Sequence, residues 1–371
     1  MTTDAESAYA KAGVNYKGID AFKRNCQAKG RLTDDNARRR GLEPMEWSRG
    51  ETAAVKRLPD GTYLATVNEG VGTKPVATGD FYKLTGWSRY KEIAQDTAAA
   101  IFNDLVAVGA QPSGTMMHLA VGSSAFFDDE PRLNALIEGW FEACQTAGCR
   151  WDGGETSVLV DNVESPTFML SGSAEGLIRN PRRLIKPAIE DGDAIVVLPS
   201  TGIHVNGLTA ARKLADALPD GYRAKIDDGR EFGAALLDAT PLYGPLIENL
   251  QEAAVRIHYA VPVTGHGWRK LMRAQLDFSY VIEKLPPVPP VLQFMQRVQR
   301  LTDAEAYSTY NMGAGFVLFV PPSDVGIIRN VAALQGMTAM LAGRCVSSPG
   351  GKSLTILPLN VTYQGDSLDI R

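Results

Sequence analysis

Tyr63-Leu64-Ala65-Thr66-Val67-Asn68-Glu69-Gly70-Val71-Gly72-Thr73-Lys74 is the stretch on which the reading of this chain turns. Residues 63–67 alternate and are rich in strand formers, then break at Asn68-Glu69-Gly70. Binding loops sit where a rigid strand gives way to glycine. Gly70 and Gly72 permit close backbone approach to a ligand, and Lys74 offers a phosphate a point charge. The run is not a Walker A motif, because the Gly-x-x-x-x-Gly-Lys spacing is missing. Alone it is a weak signal, since glycine and lysine are common together in hairpins.

Two more segments carry oxygen donors beside glycine or on a helix. Residues 93–108 read as a helix that stops at Gly109, with Pro112 just beyond. Asp96 and Asn103 are nearly two helical turns apart and share a face, whereas Asp104 is rotated roughly 80° from Asp96. The helix is otherwise apolar, and carboxylates beside a buried face are costly unless they are paired or hold a metal. The plainer alternatives are that Asp96 caps the helix or pairs with Lys91, and that Asn103-Asp104 is an exposed polar turn. Gly153-Gly154-Glu155-Thr156 alone reads as a tight turn with a capping threonine. Hard cations such as magnesium take oxygen ligands, often one or two carboxylates plus substrate phosphates. Three such segments and a lysine together point to a nucleotide-phosphate site.

A polar connector at 179–183 divides the chain into expected domains 1–178 and 179–371. Leu133–Gly148 reads as a second amphipathic helix and Phe168–Ile178 as a strand. Beyond the connector, residues 194–198, 278–282, 315–320 and 354–361 read as strands. Residues 207–217, 231–254 and 268–274 read as helical. The strict βαβ rhythm is missing, which favours α+β over a doubly wound sheet. The proline-rich 285–290 is a stiff linker. Loops 200–207 and 264–267 precede helices and suit anions, and each carries a histidine, His204 and His266, able to bind phosphate or move a proton. His118 and His258 have no such setting and read as packing or surface residues.

Bulk properties narrow the classes. The chain has 371 residues and 44% hydrophobic content, enough for two cores. Its net charge of −4 leaves no broad basic surface for nucleic acid, and Arg38-Arg39-Arg40 reads as a solvated run. The polar N-terminus does not read as a signal peptide, and the apolar runs are too short to span a membrane. Four cysteines in a chain this long make no disulfide framework. Reduced thiols in a cytoplasmic protein are expected.

Taken in order, these segments resemble aminoimidazole ribonucleotide (AIR) synthetase, the cyclo-ligase family of purine biosynthesis, and its ATP-binding superfamily. The matching runs are Tyr9-Ala10-Lys11-Ala12-Gly13-Val14, Gly70–Lys74, Asp104 with Gly109-Ala110 and Pro112, Gly153–Thr156, His204-Val205-Asn206-Gly207, Thr264-Gly265 and Asn311-Met312-Gly313. They cover nearly the whole chain. The resemblance implies an α+β fold: an α/β N-terminal half whose sheet forms a barrel across a homodimer, and a ferredoxin-like C-terminal half. It implies ATP and magnesium, with potassium as a further cation, a small ribonucleotide substrate, and ATP-dependent ring closure of formylglycinamidine ribonucleotide. By motif match, Glu69, Asp96, Asp104 and Glu155 take the metal. Gly70, Gly72, Thr73, Asn103, Gly153, Gly154, Thr264, Gly265 and Asn311 line the ATP or substrate site. Lys74, His204 and Asn206 are the catalytic candidates, with Lys74 on phosphate and His204 moving the proton.

The chain also departs from the family pattern. Glu69 stands where aspartate is usual, and residues 41–47 replace a glycine-rich N-terminal loop. His266 interrupts a glycine run, and Met312 takes a small polar or cysteine position. Rival readings are selenophosphate synthetase, the hydrogenase-maturation dehydratase, thiamine-monophosphate kinase and a non-catalytic nucleotide-binding dimer. Cys26 lies in Arg24-Asn25-Cys26-Gln27-Ala28, which does not resemble the reactive loop of the first. The sequence ends Leu368-Asp369-Ile370-Arg371, without the terminal cysteine of the second.

Overall fold

The computed structural model describes residues 16–368, so the Tyr9–Val14 run lies outside the described residues. The N-terminal half is built on a six-stranded sheet in the order β1-β2-β3-β6-β4-β5. Its strands are β1 (Glu43–Pro44), β2 (Ala54–Arg57), β3 (Tyr63–Gly70), β4 (Gln111–Val121), β5 (Arg150–Val158) and β6 (Phe168–Ile178). All pairings are antiparallel except β4 with β5. Helices α1 (Tyr16–Arg31), α2 (Asp34–Arg38), α3 (Lys74–Thr85), α4 (Tyr90–Val106) and α5 (Glu130–Ala147) complete this half.

Strand β6 shows how the sheet is sided. Phe168, Leu170 and Ala174 alternate into a core shared with Ile101 and Phe102 of α4 and Trp140 of α5. Helices α4 and α5 cross closely because Gly139 has no side chain: a Cβ there would lie 2.2 Å from the Lys91 carbonyl oxygen. On the opposite face, Met169 of β6 and Met116 of β4 are 52% and 56% exposed.

The C-terminal half carries a seven-stranded sheet, β13-β12-β9-β11-β7-β10-β8. The strands are β7 (Ala194–Pro199), β8 (Tyr259–Pro262), β9 (Phe278–Ile282), β10 (Ala314–Val320), β11 (Met340–Ser347), β12 (Ser353–Ile356) and β13 (Val361–Gln364). The helices are α6 (Leu208–Ala217), α7 (Phe232–Leu236), α8 (Gly244–Glu252), α9 (Pro290–Gln299), α10 (Asp303–Thr309) and α11 (Val325–Leu334). Ile195, Val197, Val317 and Phe319 point into one core, while Val196, Leu198, Phe316 and Leu318 point into another. Helices therefore cover both faces, which is why β10 is buried along its whole length. The chain is α+β, as expected.

Three local expectations need correction. Gly153–Thr156 is not a turn; it lies within β5 and pairs with Met116–Leu119. Gly154 serves close packing, since a Cβ on it would fall 1.7 Å from the Met117 carbonyl oxygen, whereas Gly153 holds φ 146° in open space. Residues 231–254 break into α7 and α8, separated by a loop at 237–243. Residues 354–361 form the end of β12 and the start of β13, with Asn360 at φ 52° in the turn between them.

The 237–243 loop joins the halves. The Thr240 backbone N–H and hydroxyl donate to Asp96 Oδ1 at 2.8 and 2.6 Å. Asn103 Oδ1 accepts from the Tyr243 N–H at 2.9 Å, and its amide donates to the Pro241 carbonyl at 2.9 Å. The seven-residue spacing does put Asp96 and Asn103 on one face of α4, and that face is turned to the other half of the chain. Asp96 neither caps α4 nor pairs with Lys91, which instead reaches Glu142 at 2.6 Å.

Candidate functional site

A cleft of about 340 Å³ opens where the two halves meet. The end of β3 brings Glu69 and Gly70 to it, and the last turn of α4 brings Asp104. From the C-terminal half come Val205 and Asn206, then Thr264, Gly265 and His266, then Lys270 and Arg273. Helix α1 closes one side with Lys23 and Gln27. Its Asp20 meets His266 Nε2 at 3.0 Å, and both residues are buried. His266 holds φ 72°, just before the short 3-10 helix Gly267–Arg273.

The charges on the two walls are opposed. Burial, and then the nearby Glu69 charge, push the Asp104 carboxyl up to about 7. Burial, and then Arg273, pull the Lys270 ammonium down to about 8. Neither Asp104, Glu69 nor Lys270 has an ion-pair partner within 4.0 Å among the described residues. Arg273 is fixed by the Gly50 carbonyl at 2.7 Å and by Glu51 at 3.4 Å. Asn206 Nδ2 is buried and lacks a partner among the described residues. Glu69, Asp104 and Lys270 are thus held apart from opposite charges rather than paired off, as a polar ligand requires.

Six of the expected site residues converge here: Glu69, Gly70, Asp104, Asn206, Thr264 and Gly265. Others sit elsewhere, for identifiable reasons. Lys74 does not reach the cleft. Its Nζ lies 2.6 Å from Asp96 Oδ2, both side chains are 0% exposed, and it also donates to the Asp238 carbonyl at 3.3 Å. Asp96 is therefore the partner of Lys74 and Thr240, not an open metal ligand. Asn103 is committed to the 237–243 loop. Asn311 is committed to Ser200 and Gly202, each at 2.8 Å. Thr73, beside Gly72, meets Thr209 at 3.2 Å. Glu155, with Gly153 and Gly154, lies on the exposed edge strand β5. Register sets Glu155 opposite His118, which in turn faces Ser171 on the open side of the sheet.

His204 is 3% exposed, and its Nε2 accepts the Thr201 N–H at 3.3 Å. Burial, and then the Lys74 charge, lower its pKa to about 3. The unfolded chain binds this proton near pH 6.5 and the folded chain does not. Its stability contribution is therefore whole above pH 6.5 and is lost as pH falls toward 3. From pH 6.5 to 5 the loss is about 2 kcal/mol. Urea unfolding at the two pH values should show it. His204→Asn, which tolerates the φ of 58°, should lose correspondingly less; an equal loss in both proteins would contradict the assignment. His258 is paired too, with Asp193 at 2.8 Å.

Lys270, Arg273, Glu51 and Lys23 escaped the reading of the sequence. A signal existed for the first two. Residues three apart eclipse in a 3-10 helix, so Lys270 and Arg273 present both charges on one side.

Residues 50–178 match the family described as AIR synthase related protein, N-terminal domain, and residues 190–355 match its C-terminal domain. A phosphoribosylformylglycinamidine cyclo-ligase of Thermococcus kodakarensis is 31% identical over 317 residues, covering 85% of this chain and 89% of the relative. The chain belongs to the AIR synthase related family. A second cyclo-ligase so named, from Methanocaldococcus jannaschii, is 28% identical and covers 90% of this chain and 93% of its own. Among solved structures, T. maritima PurL complexed with FGAR superposes with a TM-score of 0.58 at 17% identity, over 88% of this chain and 49% of that one. Such a likeness carries the fold alone. The fold and the two matched segments bear out the resemblance drawn from the ordered motifs. Among the described residues, no helix of this family member is long and apolar enough to cross a membrane.

Proposed function

We propose that this chain is an ATP-dependent cyclo-ligase that closes formylglycinamidine ribonucleotide to aminoimidazole ribonucleotide, releasing ADP and phosphate. The observation that carries this is the interdomain cleft, whose carboxylate wall faces a donor wall in a family whose curated relatives bear that name. T. maritima PurL, which shares the fold, has been solved with ATP and with FGAR.

An amide oxygen is a poor leaving group. In the proposed reaction it attacks the terminal phosphorus of ATP and ADP departs. The neighbouring amine then attacks the activated carbon, and phosphate leaves with the C–O bond. Such chemistry rests on positioning and charge neutralisation. Glu69 and Asp104 fit a hard cation: they are oxygen donors, they lack protein cations at contact distance, and Asp104 is held up toward neutrality by burial and Glu69. Magnesium there would neutralise phosphate charge. Asn206 would donate its unpaired amide to the substrate, and Thr264 and Gly265 would flank it. His204 is sealed from the cleft, so we assign it to holding the 201–204 turn rather than to proton transfer. Potassium enters only through the resemblance.

We further propose the homodimer, with the open sheet face around Met116 and Met169 covered by a second copy. Glu155 keeps a metal or nucleotide role only there, because within one chain it is turned away from the cleft. The domain boundary at 178/179 and a cytoplasmic setting belong to the same reading.

Purified protein should release ADP from magnesium-ATP only when formylglycinamidine ribonucleotide is present, with one aminoimidazole product per ADP. ADP without that product would direct the search to another acceptor. Failure to bind magnesium-ATP would favour a non-catalytic paralogue.

A further inference from the structure

We propose that Lys270 and Arg273 form a subsite for a phosphate dianion on the C-terminal wall of the cleft. The inference deepens the proposed function and rests on it only for what carries the phosphate. Both side chains leave the same side of the short Gly267–Arg273 helix. The Lys270 ammonium has three N–H groups and spends one, on Thr264 Oγ1 at 2.5 Å. Among the described residues no carboxylate stands within 4.0 Å of it. Arg273 uses Nε and Nη2 on the Gly50 carbonyl and has Glu51 at 3.4 Å from Nε, which together hold its guanidinium in place; among the described residues Nη1 has no partner.

Two further donors line the same cleft. Asn206 Nδ2 is buried without a partner among the described residues. The Thr264 hydroxyl oxygen already accepts from Lys270, so its proton is available to something else. Lys270 Nζ, Arg273 Nη1, Asn206 Nδ2 and the Thr264 O–H are four donors on this wall, beside a Glu51 carboxylate already engaged by Arg273 and the Tyr259 hydroxyl. The complement is a ligand group with several acceptor oxygens and negative charge, which is a phosphate. The facing carboxylates would repel that group without a cation between them, so the two walls give a metal-phosphate ligand a direction: cation toward Glu69 and Asp104, phosphate oxygens toward Lys270.

Two sources share this chemistry, a nucleotide phosphate and the 5′-phosphate monoester of a ribonucleotide. Calorimetry on the full chain separates them with magnesium-AMPPCP as one probe and ribose 5-phosphate as the other. Lys270→Met should weaken at least one probe roughly tenfold or more, and Lys270→Arg should retain most of the affinity. Loss for AMPPCP alone assigns the nucleotide; loss for ribose 5-phosphate alone assigns the monoester. Unchanged binding of both probes, or no binding of either by the wild type, overturns the subsite. If Lys270→Met fails to fold, Thr264→Val removes only the hydroxyl anchor and should weaken the same probe. No turnover is needed. Phosphate binding that depends on Lys270, without substrate-dependent ADP release, would sink the cyclo-ligase reading and leave the subsite standing.

Discussion

Lys74→Met is expected to destabilise the fold by about 3–5 kcal/mol, the range seen when one partner of a buried ion pair is removed. The substitution strands the Asp96 carboxylate at 0% exposure, with only Thr240 donating to it. It also releases the Asp238 carbonyl, and with it the 237–243 loop that couples the halves. Lys74→Met/Asp96→Asn, which removes the stranded charge and keeps an acceptor for Thr240, should recover at least half of the loss. Denaturant unfolding of the two variants measures this. A lysine that serves a bound phosphate from an open site would behave differently: Lys74→Met would fold with near wild-type stability and lose nucleotide affinity alone.

Asp104→Asn should separate stability from activity in the opposite sense. The folded Asp104 carboxyl titrates near 7, well above its usual range. A raised carboxylate favours folding fully below about pH 4, and that contribution is lost as pH rises through 7. At pH 8 the apo protein therefore carries a desolvated anion beside Glu69. The near-isosteric amide removes that cost, a gain of about 2 kcal/mol after discounting for the surface Asp104 keeps in the cleft. The same change takes away one of two carboxylates proposed for the cation, so turnover should fall on the order of 100-fold or more. Melting curves at pH 6 and 8, with ADP release at pH 8, test both halves. A variant that turned over normally would remove Asp104 from the site.

Where the sequence could be read, local physics sufficed. The end of β3 and the last turn of α4 are set by short-range signals, a strand breaking at glycine and a helix stopping at Gly109. Glu69 and Asp104 are accordingly legible as residues at the ends of those elements, and both line the cleft. Lys74, Asp96 and Asn103 show the same kind of signal, yet their surroundings are settled by the 237–243 loop, 140 to 164 residues away in the chain. Whether a polar side chain beside a glycine loop faces a ligand or a second core is a long-range outcome. The same holds for His204, whose burial beside Lys74 no local pattern announces. Gly153-Gly154 differs for another reason: paired glycines usually mark a turn, and here the missing side chain of Gly154 lets β4 approach β5. Lys270 and Arg273 are three residues apart in a segment legible as helical, but that they face Glu69 and Asp104 depends on how the two halves meet.

We assign the metal-nucleotide to the Glu69–Asp104 wall rather than to the Lys74–Asp96 pair. Calorimetric titration of ATP into wild type, Glu69→Gln and Asp104→Asn, each with and without magnesium, tests it most directly. The wild type should bind ATP in a magnesium-dependent way, and both folded variants should lose that binding at least tenfold. Undiminished magnesium-dependent binding in both would contradict it.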